Sequence, residues 1–184
     1  MIDQPSSKPR WISLKGALNK WRIAFLVLAL TYFVFILLNL TKQPMNWDEV
    51  GHLNRALELQ NGFYNNFVRD SFYPPLFSVL TKVSFDLFGA SLFSARLVSA
   101  VFSILSLWVV FELAYTMYGK KAALLSAFLL AVMPGYFWLS RLALLEIMLV
   151  FFFMLSLFLF FRWLKTRKNW LLVLSGLALG FGFL

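Results

Sequence analysis

Apolar residues run almost unbroken over five stretches of the chain, at about 23 to 41, 91 to 117, 121 to 139, 143 to 163 and 170 to the end. Each stretch comes near the roughly 20 apolar residues a helix needs to cross a bilayer. The expected fold is therefore all-α, a polytopic membrane protein with about five transmembrane helices. Between the first two runs the pattern changes. From Trp47 onward, Val50, Leu53 and Leu57 recur at i, i+3 and i+7, while Asp48, His52 and Arg55 take the other side of the helical wheel. This spacing predicts an amphipathic helix lying on the membrane surface. After turn chemistry at Asn61-Gly62 and a rigid break at Pro74-Pro75, a second short interfacial helix is expected over Leu76 to Phe88, ended by Gly89.

Composition supports the membrane reading. Of 184 residues, 61% are hydrophobic and 14% charged, against about 25% charged in soluble domains. The net charge of +9 would suggest nucleic acid in a soluble protein. Its distribution excludes that. Basic residues fall mainly in three clusters between apolar runs: Lys8 to Arg22, Lys120 with Lys121, and Arg162 to Lys168. Such clusters mark the cytoplasmic side. Residues 1–22 then form a cytoplasmic basic tail, the run from Ile23 is an uncleaved signal anchor, and the segment from 41 to 90 is an extracytoplasmic loop. Asp48, Glu49, Glu58, Asp70, Asp86 and Glu146 all fall on that outer side. With no cysteine there is no disulfide framework. The chain ends in GLALGFGFL inside an apolar run, which predicts an unfinished membrane domain, either a fragment or a natural truncation.

A first span, then WDE on an outer surface helix, then YPPL, then SRLALLE opening a later span: in this order the chain resembles the N-terminal portion of the C-type glycosyltransferase superfamily. The nearest branch is that of protein O-mannosyltransferases and lipid A aminoarabinose transferases. The resemblance runs from about Trp21 to the end, so residues 23–184 are expected to be part of a transmembrane glycosyltransferase module. It implies an enzyme that passes a hexose or pentose from a polyprenyl phosphate-linked donor, with inversion, to a protein, lipid or glycan acceptor at the extracytoplasmic face. Compact loops favour a prokaryotic plasma membrane.

The resemblance maps the catalytic acid onto Asp48, with Glu49 beside it, and the proline pair onto Tyr73, Pro74, Pro75 and Leu76. Arg141 and Glu146 match an arginine followed by an acid, where the family more often has Asp than Glu. Sugar transfer from a phosphate needs a base for the acceptor and a cation for the departing phosphate. Asp48 is the candidate base and Arg141 the candidate phosphate partner. Glu146, Tyr73 and His52 complete the candidate substrate-binding set, with Arg141 or Arg96 as the expected partner of Glu146. No cofactor is required by the sequence, although His52, at i+4 from Asp48 and i+3 from Glu49, leaves a divalent metal open. One His and no Cys is thin ligation.

Each residue also has a plainer reading. Acids at 48 and 49 suit a helix N-terminus, Arg141 suits a headgroup anchor, and Tyr73 suits an interfacial aromatic belt. Glu112, near the end of its span, is expected to be paired or interfacial. At the level of function, the alternatives are a transporter or flippase component and a noncatalytic membrane assembly subunit. The first needs acids near the midplane of several spans, whereas here they cluster at one surface.

Overall fold

Apolar helices without water must satisfy every backbone group internally and then find partners for whatever polar side chains they carry. The computed structural model, which describes residues 20–62 and 74–183, arranges eight helices on that basis. They are α1 (Lys20–Leu37), α2 (Trp47–Gln60), α3 (Pro75–Phe88), α4 (Leu92–Tyr118), α5 (Lys120–Val132), α6 (Pro134–Leu139), α7 (Glu146–Thr166) and α8 (Asn169–Gly182). Among the described residues there is no strand. The all-α fold is as expected.

Among the described residues three helices, α1, α4 and α7, are long and apolar enough to span a bilayer, so the chain is an integral membrane protein. The other two expected spans are shorter. The stretch 121 to 139 is cut at Met133, because Pro134 has no N–H to continue the α5 ladder and starts α6 instead. The remaining 13 residues of α5 reach only about 20 Å. Helix α8 covers 14 residues.

Helix α4 is the hub, packing against α1, α3, α5 and α7. Its buried face carries Ser94, Ala95, Ser99, Ala100, Ser103 and Ser106, small residues that let neighbouring backbones come close. Helix α1 offers a seam of Phe25, Ala29, Tyr32 and Ile36 at alternating spacings of four and three, and leaves Leu26, Val27, Leu30 and Val34 on the outside. Helix α5 answers with Ala123, Ala127 and Ala131. Polar side chains inside this core find partners. Tyr32 Oη and Ser140 Oγ are 3.0 Å apart, and Tyr136 Oη donates to the Ser103 carbonyl at 3.0 Å.

The bundle has two distinct ends. At one, the start of α1, the end of α4 and the end of α7 meet: Arg22 pairs with Glu112 at 3.3 Å, and Lys165 Nζ donates to the Thr116 carbonyl. At the other, the turn after α1, helices α2 and α3, the start of α4 and the α6–α7 loop converge. The second end holds the candidate site.

Helix α3 begins as its prolines dictate, with Pro74 at the cap and Pro75 in the first turn, where a missing N–H costs nothing. It ends at Gly89, whose φ of 83° suits glycine. Its Lys82 and Asp86 pair one turn apart.

Candidate active site

The site grows from the first turn of α2. Asn46 caps the helix, and Glu49, three residues on, turns back so that its Oε2 accepts the Asn46 N–H at 3.0 Å. This is a capping box. It aims Glu49 inward, where its carboxylate is fully buried. Arg96, four residues into α4 and also fully buried, meets it edge on: Nε donates to Oε1 at 2.8 Å and Nη2 to Oε2 at 2.7 Å. The Ala143 N–H from the α6–α7 loop donates to Oε1 at 2.6 Å. Arg96 spends its remaining N–H groups on the turn after α1, through the carbonyls of Leu40 at 2.6 Å, Gln43 at 3.2 Å and Pro44 at 3.4 Å.

One ion pair therefore ties together four pieces of chain: the turn after α1, the start of α2, the start of α4 and the loop before α7. Burial pushes the Glu49 carboxyl up, but the hydrogen bonds from Arg96, Ala143 and Asn46, with the charge of Arg96, outweigh it and hold the group below its ordinary value. Glu49 stays ionised, with each oxygen accepting two hydrogen bonds.

Asp48 stands next to this clamp but is exposed, in the first turn of α2. The adjacent acids thus have different surroundings, one sealed and one open to whatever approaches this end of the bundle.

Arg141 lies in the loop after α6. Its Nη2 donates to the carbonyls of Leu38 at 2.8 Å and Asn39 at 3.1 Å, and its guanidinium lies over the Phe137 ring at 5.6 Å. Its Nε is buried and has no hydrogen-bond partner among the described residues. The loop holding Arg141 is the one that Glu49 anchors through Ala143, so Asp48 and Arg141 are carried on segments joined by the same clamp. Ser99 adds to this by donating to the Leu144 carbonyl at 3.0 Å.

The face assignment of α2 needs correction. His52 and Arg55 were expected on the polar face with Asp48, but both are buried, in line with Glu49, Leu53, Ala56 and Leu59, while Val50 is exposed. The reason is α3, which packs on that face and sets Phe77 against His52 edge on, with ring centroids 5.1 Å apart. Burial, with the nearby Arg55 charge, lowers the His52 pKa to about 4, and the opposing charge of Asp48 only partly offsets this. Among the described residues, no three His, Cys, Asp or Glu side chains come together as a metal site would require.

Glu146 also differs from expectation. It opens α7 and is exposed, so it needs no buried partner, and a carboxylate in the first turn suits the helix dipole. The arginines expected to serve it are engaged elsewhere, Arg96 by Glu49 and Arg141 by carbonyls. Glu112 pairs with Arg22 as a paired or interfacial acid would. Tyr73 lies outside the described residues.

Residues 73–184, more than half of the chain, match the model of the dolichyl-phosphate-mannose-protein mannosyltransferase family. The match takes in Arg96, Arg141 and Glu146 and begins after α2. No curated protein and no solved structure shows significant similarity to the chain.

Proposed function

The chain belongs to the dolichyl-phosphate-mannose-protein mannosyltransferase family, and from that premise we propose that it transfers a sugar from a polyprenyl phosphate-linked donor to a protein, lipid or glycan acceptor, with inversion at the anomeric carbon. The site end of the bundle is the extracytoplasmic end and the lysine-rich end is cytoplasmic, which matches the division of basic and acidic residues along the chain. Compact loops fit a prokaryotic plasma membrane. Residues 1–22 act as the cytoplasmic tail, and residues 23–184 act as the N-terminal part of the catalytic membrane module.

The observation that carries the reading is the division of the acid pair. Asp48 is exposed at the helix start and acts as general base, taking the proton of the acceptor nucleophile as it attacks the anomeric carbon. The bond from that carbon to the phosphate oxygen breaks, and the phosphate departs with the electron pair. Arg141, in the loop tied to the same clamp, stabilises the growing charge, because a guanidinium can hold phosphate oxygens in fork geometry. Glu49 cannot serve as the base while both oxygens are taken by Arg96, Ala143 and Asn46. It is a positioning residue, and His52, buried against Phe77, supports the same helix. Glu146, at the same end, and Tyr73, outside the described residues, are assigned to acceptor or donor contacts.

Transfer of labelled sugar from polyprenyl phosphate in membranes containing the full chain tests this reading. Asp48→Asn is expected to lower turnover by roughly a hundred- to ten-thousandfold, the usual contribution of a positioned base. Turnover equal to the parent would remove Asp48 from the reaction.

A further inference from the structure

Two grooves run along the apolar outside of the bundle, and they differ in charge. One, of about 310 Å³ between α1 and α4, is lined by apolar residues alone, Ala29, Phe33 and Val101 among them. The other, of about 380 Å³, lies between α1 and α5. Its walls are Ala24, Leu28, Leu124 and Phe128, and at the lysine-rich end it is lined by Trp21 and Lys121. The alanine stripe of α5 brings that helix into the core beside α1, and Ala24 and Leu28 line the groove on the α1 side.

The mouth of this groove gathers positive charge. Lys20 Nζ stands 5.9 Å from the centroid of the Trp21 ring, and Lys120 and Lys121 are both exposed. Among the described residues no carboxylate pairs with any of the three; the nearby Arg22 is turned instead to Glu112. Two lysines in the first turn of α5, with no acid and no side-chain cap, also run against the helix dipole. An anion at this position offsets both costs, and an apolar chain attached to it fills the groove.

We propose that the groove between α1 and α5 binds an anionic phospholipid of the surrounding membrane, with one acyl chain between Leu28 and Phe128 and the phosphate on Lys121. The groove between α1 and α4 has no cation and accepts acyl chains without regard to headgroup. This site is at the opposite end of the bundle from Asp48 and Arg141, so it stands apart from the sugar-transfer reading.

The test uses the purified full chain in detergent, titrated with brominated phosphatidylglycerol or brominated phosphatidylcholine while tryptophan quenching is followed. The chain has 7 Trp, so the signal of Trp21 is taken as the difference between the parent and Trp21→Phe. Half-quenching of Trp21 is expected at roughly fivefold less phosphatidylglycerol than phosphatidylcholine, the ratio given by the ~1 kcal/mol that a lysine gains near an anionic surface. Lys121→Gln, at an exposed position, is expected to abolish most of that preference and leave phosphatidylcholine quenching unchanged. Ala24→Phe, which narrows the groove without altering charge, is expected to weaken quenching by both lipids. Equal quenching by the two lipids, a preference that survives Lys121→Gln, or displacement of the lipid by glycerol phosphate alone would overturn the proposal.

Discussion

Each end of the bundle carries an arginine paired with a glutamate across helices, and the two pairs teach opposite lessons. At the lysine-rich end, Arg22 reaches Glu112 through a single contact of 3.3 Å, with the arginine side chain 55% exposed. Water and lipid headgroups can replace either partner there, so the contact adds little. At the site end, Arg96 and Glu49 are both fully buried, and the pair is bidentate with backbone groups filling the remaining valences. Burying a charge in low dielectric is costly, and this pair persists because every donor and acceptor is met. What it provides is geometry: it holds the open carboxylate of Asp48 and the loop of Arg141 on one frame.

The largest expected effect comes from breaking the buried pair. Arg96→Met leaves Glu49 charged, buried and unpaired, and should destabilise the protein by about 3 to 5 kcal/mol in denaturant unfolding. A value near zero would show that the four segments are held by something else. Next in size is a pH effect specific to the site end. His52 titrates at about 4 in the folded protein and near its ordinary 6.5 when unfolded, so the unfolded chain binds the extra proton between those values. Stability is therefore full above about pH 6.5 and falls as the pH drops toward 4. Thermal unfolding followed across that window should show the decline in the parent and a flatter profile in His52→Gln. Glu49, whose pKa is lowered, adds its own loss only below the ordinary carboxylate range. The smallest effect belongs to the exposed pair: Glu112→Gln should change stability by less than about 1 kcal/mol, measured in the same unfolding experiment.

Much of the fold could be read from residue order because its causes are local. Long apolar runs give α1, α4 and α7, Pro75 starts α3 and Gly89 ends it. Pro134 is a local signal of the same kind, since it argues for the break within 121 to 139 that separates α5 from α6. The face of α2 differs from the wheel because an amphipathic wheel assumes water or lipid on the two sides, while α3 packs on this helix and sets Phe77 against His52. Arg96 was visible as a charge within an apolar span, which asks for a partner. That the partner is Glu49, 47 residues away, depends on tertiary packing. One clue was nonetheless present in the sequence: Asn46 with Glu49 at the third helical position spells a capping box, which turns a glutamate back toward the helix start.

The most direct test of the division between the two acids compares Asp48→Asn and Glu49→Gln, each followed by sugar transfer in membranes and by thermal unfolding. The account predicts that Asp48→Asn loses turnover by roughly a hundredfold or more while its unfolding midpoint matches the parent. Glu49→Gln should lower the midpoint, because Arg96 is left as an uncompensated buried charge. An Asp48→Asn protein that turns over donor at the parent rate would contradict the account, whatever the behaviour of Glu49→Gln.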